Sequence, residues 1–257
     1  MPNPADNLDA LAADLCDPDP EVRRIAANRL RDLDDEQAGT PLVRALEDES
    51  PHVRAAAALG LLYRQPASAT PALIKHLLND PKGNVRAICA TALASADDEA
   101  MQALMQALAD PDWDVRVSAC CALGRVRYRP AIEPLMKMLD DPSWQVRHAA
   151  CEALVEMGVG DSRVVDAADH LCEDPEAQAF EKSMSAVAAF LNALIDEPSL
   201  AECIEEFDGR QIEGKRSKLR EAAESARELL KGERFPETDF SLERLADRAR
   251  RLLAEAR

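Results

Sequence analysis

Glycine, histidine and aromatic side chains are scarce in this chain. Of the 257 residues, 9 are glycine, 4 are histidine and 4% are aromatic. So few glycines leave little material for a phosphate-binding loop, and neither such a loop nor a nucleophile elbow occurs. The histidines are dispersed, without the Cys/His spacing of a metal site. These absences predict a protein that is not an enzyme and that binds no metal and no cofactor.

Basic side chains are also in deficit. The chain has 31 Lys and Arg against 48 Asp and Glu, which gives a formal net charge of −17. Nucleic acids and anionic membranes attract clustered Lys and Arg, so we expect neither as a partner. The excess of carboxylates is compatible with a basic protein partner and equally with a solvated outer face that only keeps the protein soluble.

Signals for export and for a membrane segment are missing too. The chain begins without a basic flank followed by an apolar stretch, and no apolar run of about 18 residues occurs. Its 7 cysteines show no Cys-x-x-Cys pair and no close spacing of the kind that staples small secreted domains. We therefore expect reduced thiols and a cytoplasmic location.

What the chain has instead is one motif that occurs five times. An aspartate, usually followed by proline, precedes a Val-Arg pair by five residues, and successive aspartates lie 31, 32, 30 and 31 residues apart. The motif aspartates and arginines are Asp17 and Arg23, Asp48 and Arg54, Asp80 and Arg86, Asp110 and Arg116, and Asp141 and Arg147. A fixed period of this size predicts a solenoid, in which stacked repeats share one continuous core.

The residue pattern of each repeat predicts two helices joined by the motif. Four and eight residues after the motif valine come a small residue and a leucine, as in Val53, Ala57 and Leu61, which is helical spacing. Before the motif, leucines four residues apart, as at Leu73 and Leu77, indicate a first helix. The motif aspartate can accept backbone N–H bonds and complement the positive end of the second helix. The fold class is therefore all-α, an α-solenoid of stacked antiparallel helix pairs.

The period weakens towards the C-terminus. We assign residues 1–177 to an array of five clear repeats and a degraded sixth, and residues 178–257 to a helical C-terminal cap or extension. An apolar stripe at Met184, Val187, Leu191 and Leu194 and helical composition near 213–231 and 239–256 indicate helices there. The alternative is a tail that orders only when it binds a partner.

The motif resembles the short HEAT repeats of phycobilisome-lyase-like proteins, over residues 8–176. This resemblance implies that the five aspartates and five arginines form a ladder between adjacent repeats. Arginine suits such a ladder because its planar fork can bind a carboxylate and a carbonyl together. We interpret the ladder as structural, since it recurs in every repeat whereas a catalytic residue would occur once.

The resemblance also implies that the second helix of each repeat lines a concave inner face. Its positions two and six residues after the valine are the candidate partner-binding residues: Arg24, Asn28, Ala55, Leu59, Ala87, Thr91, Val117, Cys121, His148 and Glu152. Repeats two to four present small or apolar residues there, as a groove for a peptide or helix would. The alternative is that tight curvature merely packs this strip between neighbouring helices.

Trp113 and Trp144 occupy the same place in consecutive turns. Paired tryptophans can be binding anchors, but we favour a role in covering the ends of neighbouring helices.

These features together predict a non-catalytic protein–protein interaction scaffold or adaptor. Its partner would be a protein or peptide, which the net charge suggests is basic, bound along the concave face of the solenoid. The alternative, which rests on the resemblance alone, is a subunit of a phycobilin-lyase-like enzyme that handles a chromophore.

Overall fold

The computed structural model describes residues 8–33, 36–64, 69–94, 97–182 and 241–256, and all regular structure in these ranges is helical. The α-helices are α1 Leu8–Asp14, α2 Pro20–Asp32, α3 Gly39–Ala45, α4 Pro51–Arg64, α5 Ala69–Asn79, α6 Gly83–Ala92, α7 Asp98–Ala107, α8 Trp113–Arg125, α9 Ile132–Met138, α10 Trp144–Glu156, α11 Ser162–Glu173 and α12 Leu242–Glu255. Short 3-10 helices, Glu36–Ala38 and Arg129–Ala131, lead into α3 and α9.

The helices of the repeats form two layers. Odd-numbered helices α1 to α9 are the first helices of five repeats, and even-numbered helices α2 to α10 are the second helices. Each first helix packs on the second helix of its own repeat, and each second helix packs on the next one. Successive second helices contact one another more extensively than successive first helices, and we call the layer that they form the inner layer. The prediction of an α-solenoid is confirmed.

The core is the stripe that the sequence pattern indicates. The leucines eight residues after the motif valines are fully buried, as are Leu42 and Leu104 of the first helices. The leucines at this position are Leu30, Leu61, Leu93, Leu123 and Leu154. The motif valines are buried as well, except Val22, which is only half-buried. Val22 belongs to the first of the described repeats.

The motif aspartates accept backbone N–H bonds as expected, each from the residue two positions later in the turn. Asp17 accepts the N–H of Asp19 at 2.8 Å, which closes the turn ahead of the second helix. The N-cap of α2 is Asp19 itself, which accepts the N–H of Glu21 at 2.9 Å. Asp112 caps α8 in the same way. The motif aspartate therefore shapes the turn, and in repeats one and four the aspartate two positions later caps the helix N-terminus.

The second helices approach closely because small residues lie between them. A Cβ at Gly124 of α8 would lie 2.6 Å from the Cβ and 2.7 Å from the Cα of Ala153 in α10. At Gly60 of α4, by contrast, the nearest atom is a terminal methyl of Leu42, 2.8 Å away, which can rotate aside. Gly124 thus sets the spacing of the last two second helices.

We expect Gly124→Ala to destabilise the protein, although alanine is the better helix former by about 1 kcal/mol. Forcing α8 and α10 apart costs about 1–3 kcal/mol, which outweighs that gain. Gly60→Ala is the matched control and should be neutral or stabilising, because a side-chain tip yields there. Urea unfolding of both variants measures the difference. A stabilised Gly124→Ala would show that the two helices are not held at this distance.

Contacts divide the chain into two units, residues 1–170 with 245–257, and residues 171–244. The first unit holds the repeats and most of α12, whose Leu245, Ala246 and Ala249 are buried. Arg250 of α12 forms an ion pair with Asp169 of α11 at 2.5 Å. A Cβ at Gly160 would collide with the backbone carbonyl oxygen of Leu252. The C-terminal helix is therefore seated against the array.

In the second unit, residues 175–182 are helical and follow a turn closed by Asp174, which accepts the N–H groups of Glu176 and Ala177 at 2.9 and 3.1 Å. The amide of Gln178 donates to the carbonyl of Cys172. The stripe predicted at Met184 to Leu194 and the helix predicted near 213–231 lie outside the described residues. The helix predicted near 239–256 corresponds to α12.

Candidate partner-binding surface

Arg54 shows how one motif residue joins two repeats. Its Nε and Nη2 donate to the two carboxylate oxygens of Asp80 in the next repeat at 2.7 and 2.9 Å. Its Nη1 donates to the carbonyl oxygen of Asp48 in its own turn at 2.9 Å. One guanidinium therefore fixes the turn of its own repeat and the position of the following one.

The same arrangement recurs along the array. Bidentate pairs join Arg23 to Asp48, Arg54 to Asp80, Arg86 to Asp110 and Arg116 to Asp141, with Nε to Oδ2 distances of 2.7, 2.7, 2.7 and 2.8 Å. At the end of the series, Nη1 of Arg147 donates to the carbonyls of Asp141 and Pro142 at 2.9 and 3.1 Å. In the first turn, the carbonyl oxygen of Asp17 accepts from Nη1 of Arg23 at 2.9 Å, as the equivalent carbonyls do in the later turns. The ladder thus determines the register of the second helices.

Folding lowers the pKa of three ladder carboxyls, those of Asp48, Asp80 and Asp110. Burial alone would raise the pKa of Asp80, but hydrogen bonds from Arg54 and from the N–H of Lys82 outweigh it, and the pKa lies below its usual value. Burial and the bonds from Arg86 and from the Asp112 N–H act in the same way on the pKa of Asp110. A carboxyl whose pKa is lowered by folding stabilises the fold above its ordinary pKa. This stabilisation is lost as the pH falls through the folded-state pKa.

Additional ionisable side chains surround one ion pair of the ladder, that of Arg54 and Asp80. The buried His76 lies between two carboxylates, with Nδ1 3.1 Å from Oδ2 of Asp80 and Nε2 3.3 Å from Oε1 of Glu47. Lys75 contacts Glu47 at 2.6 Å. These side chains line a shallow pocket of about 250 Å³ over the Arg54–Asp80 pair. His76 lies on α5, and Asp80 follows it by four residues just after the helix ends, a spacing that brings the two side chains together.

The candidate binding residues lie on the inner layer, on second helices whose register the ladder fixes. Arg24, Asn28, Ala55, Leu59, Thr91, Val117, Cys121 and His148 are half-buried, and Glu152 is exposed. Ala87 differs, with 5% of its surface exposed, because the neighbouring second helices pack over it. The strip therefore remains partly open to solvent on both sides of Ala87.

The helical stripe extends beyond the two positions per repeat that the sequence analysis selected. One residue before and ten residues after the motif valine lie on the same helix face, since the spacings of 3, 4 and 4 continue the helical period. These positions add Glu21, Asp32, His52, Tyr63, Asn84, Asp114, Arg125, Gln145 and Glu156. We call the whole set the inner face. Tyr63 is its most prominent addition, with 71% of its surface exposed.

Electrostatics differ between the two ends of the inner face. In the first repeat Arg24 forms an ion pair with Glu21. In repeats four and five, burial raises the pKa of the Cys121 thiol to about 11, and the carboxylates of Glu152 and Glu156 add to this rise. Burial lowers the pKa of His148 to about 4, so this imidazole is neutral at physiological pH. Repeat five therefore presents carboxylates beside uncharged side chains.

The two tryptophans begin α8 and α10 but are unequally covered. Trp113 has 45% of its surface exposed, whereas Trp144 has 8%. Trp144 therefore offers little surface to a partner. Trp113 retains enough exposed surface to contact one.

Neither a metal centre nor a membrane span is found in the part of the chain that the structure describes. No group of three or more His, Cys, Asp or Glu side chains there could hold a metal ion. None of the described helices combines the length and apolar composition needed to cross a bilayer.

Comparisons with known proteins agree with this architecture. The chain is similar in fold to a chain from the complex of CpcE and CpcF of phycocyanin lyase from Nostoc sp. PCC7120, with a TM-score of 0.55 and 20% identity over 88% of this chain and 97% of that one. It is similar to YibA of Escherichia coli, with a TM-score of 0.56 and 16% identity over 95% of this chain and 93% of that one. At these identities the likeness shows the fold alone. No curated protein sequence matches the chain.

A sequence-family model provides the assignment that structural likeness alone does not. The model for HEAT repeats matches residues 8–94, 40–109 and 101–189, which together span more than half of the chain. The predicted resemblance is confirmed at the level of the family. Since the matched residues contain all five helix pairs and the ladder that joins them, the chain belongs to the HEAT-repeat family.

Proposed function

We propose that this protein is a non-catalytic scaffold or adaptor that binds a protein or peptide along the inner face of its second helices. The observation that carries the proposal is the half-buried, uncharged strip formed by Ala55, Leu59, Thr91, Val117 and Cys121. The second helices that carry this strip are held in register by four ion pairs, one of them buried and three partly buried, so the strip is ordered before a partner arrives.

A surface that is already ordered is suited to binding. Association loses less free energy when the side chains at the interface need no further ordering. The small side chains of the strip, such as Ala55 and Thr91, also allow the backbone of a partner to approach closely. The hydroxyl of Thr91 donates a hydrogen bond to the carbonyl oxygen of Ala87 at 3.1 Å. This polar side chain therefore already has a hydrogen-bond partner within its own helix. Covering the strip therefore leaves that hydroxyl paired.

The second candidate function is that of a subunit in a phycobilin-lyase-like enzyme. The observation that favours it is the similarity in fold to a chain of the CpcE–CpcF complex. This candidate also needs a protein partner, so it shares the inner face with the first. Absorbance after incubation with a bilin and its apo-protein separates the two, because only the lyase subunit would bind or transfer pigment.

The double variant Thr91→Glu with Val117→Glu tests the proposal. Two carboxylates in the centre of the strip should weaken binding of a purified partner at least tenfold, since an interface buries charge only at a high cost. Partners are first captured from the native organism and then measured one at a time by calorimetry. The folded state should survive, because both positions are half-buried and lie on the solvent side of their helices.

The matched control adds the same charge on a first helix. Gln102 and Gln106 of α7 are both exposed, and Gln102→Glu with Gln106→Glu should leave binding unchanged. A stable Thr91→Glu, Val117→Glu variant that binds every captured partner with unchanged affinity would refute binding at the inner face.

A further inference from the structure

We propose that the inner face selects an extended peptide with two features: an apolar side chain that contacts repeat two, and a basic side chain that contacts repeat five about eight residues away. This inference rests on the proposed function and names the chemistry of the partner. It follows from the different composition of the inner face in repeats two and five, here called the apolar end and the acidic end, and from the distance between these repeats.

The apolar end is on α4. Tyr63 and Leu59 are one helical turn apart, and Ala55 is one turn further along the same face. Tyr63 is the most exposed large hydrophobic side chain among the described residues. An exposed aromatic next to half-buried aliphatic side chains is the composition of an interface anchor. It fits an aromatic or branched aliphatic side chain of a partner.

The acidic end is on α10. Glu152 and Glu156 are exposed and one turn apart, and both lie close enough to Cys121 of α8 to raise the pKa of its thiol. Oε2 of Glu156 also lies 3.5 Å from where a Cβ on Gly124 would be, which places this carboxylate over the seam between α8 and α10. Asp114 adds a third exposed carboxylate to the face, and Arg125 is the one basic side chain of α8 on it. Three carboxylates and one guanidinium give this end a negative net charge, which complements Lys or Arg.

Between α4 and α10 the centre of the inner face is uncharged among the described residues. Repeat three contributes Asn84, Ala87 and Thr91, and repeat four contributes Val117 and Cys121, with Asp114 and Arg125 at the two edges of the face. A charged residue in the middle of a bound peptide would lose water there without gaining an opposite charge. The middle of the peptide should therefore be small or uncharged.

The distance between the ends determines the spacing. Neighbouring packed helices lie about 8–10 Å apart, so the three steps from α4 to α10 span roughly 24–30 Å. An extended chain covers about 3.3 Å per residue, which corresponds to about seven to nine residues. A helical peptide rises about 1.5 Å per residue and would need roughly twice as many residues. The short spacing is thus specific to an extended partner.

The test uses the full chain and three fluorescein-labelled peptides in a serine–glutamine background. The first peptide carries Phe and a Lys-Arg pair about eight residues apart, the second carries the same residues adjacent to each other, and the third replaces Lys-Arg by Glu-Glu at the original spacing. Fluorescence anisotropy measures the affinities. We expect the first peptide to bind at least tenfold more tightly than the other two.

Two double variants test which residues of the inner face bind each end of the peptide. Glu152→Lys with Glu156→Lys should reverse the preference, so that the Glu-Glu peptide binds more tightly than the Lys-Arg peptide. Leu59→Ser with Tyr63→Ser should weaken both widely spaced peptides alike. The matched charge control is Glu99→Lys with Glu133→Lys, on exposed positions of first helices, which should leave the preference intact.

Each contrary outcome has a definite meaning. Equal affinity for all three peptides, abolished by Thr91→Glu with Val117→Glu, would overturn the selectivity and keep the proposed function. Absence of binding by every peptide would overturn this inference, while binding of the captured partners still decides the function. Light scattering that shows a dimer dissociated by the inner-face variants would identify a second copy as the occupant and would also overturn it.

Discussion

Replacing Arg54 by Met should lower the free energy of unfolding by about 3 kcal/mol, because Asp80 would remain buried without its cation. The side chain of Asp80 is 1% exposed and that of Arg54 is 9% exposed. The variant also removes the donors to the carbonyls of Asp48 and Glu49, which lie 2.9 and 3.1 Å from Nη1. For a protein of this size such a loss corresponds to a fall in Tm of roughly 6–12 °C. Calorimetry measures both quantities.

The control for this variant is Arg44→Met, at an exposed position of α3. Its effect should be within about 0.5 kcal/mol, as for most surface substitutions. Arg86→Met should resemble Arg54→Met, since Arg86 holds Asp110 by the same two bonds, each 2.7 Å long. Equal and negligible effects of all three substitutions would show that the ladder does not hold the repeats together.

Replacing Gly160 by Ala should release the C-terminal helix from the array. The new Cβ would collide with the carbonyl oxygen of Leu252 and would lie 2.7 Å from the Cβ of Ala256. A backbone atom cannot rotate aside as a side chain can, so overpacking should weaken the docking of α12 by about 2 kcal/mol. Trypsin should then cleave after Arg250 and Arg251 at least tenfold faster, because cleavage follows the population of the open form.

The control for Gly160 lies two residues earlier. Gly158 has a φ of 74° and nothing within 4 Å of an added Cβ. Gly158→Ala therefore strains the backbone without touching α12, and it should lower stability while leaving cleavage after Arg250 slow. Equal protection of α12 in both variants would mean that the contact at Gly160 does not hold the helix. Arg250→Ala, which removes the exposed ion pair with Asp169, should have a much smaller effect.

Much of the fold could be predicted because the same residue pattern occurs in every repeat. The Val-x-x-x-Ala-x-x-x-Leu spacing specifies a helix with one buried face, and its recurrence at a constant period specifies stacking. Arg86 illustrates the ladder: its pairing with Asp110 requires only that adjacent repeats superpose, and the constant period guarantees this. Local pattern and repetition agree in these elements, so no distant contact is needed to infer them.

The candidate surface could be predicted only in part. Helical spacing identifies the row of Leu59, Thr91 and Cys121, and the same spacing extends to Tyr63 and Glu156, which the sequence analysis did not select. The exposed fraction of each residue could not be predicted in this way. Ala87 is covered while Ala55 is partly open, although both lie two residues after their motif valine. Exposure depends on how closely the neighbouring helices approach, which the residue type at one position does not specify.

The sequence by itself determined the features that recur in every repeat: the helix pair, the buried stripe, and the aspartate and arginine that join one repeat to the next. The tertiary structure decided the features that occur once. It covers Trp144 and leaves Trp113 exposed, it seats α12 against Gly160, and it gathers carboxylates at one end of the inner face. The reason is physical: a repeated interaction has the same neighbours in each unit, whereas a single one depends on contacts between residues far apart in the chain.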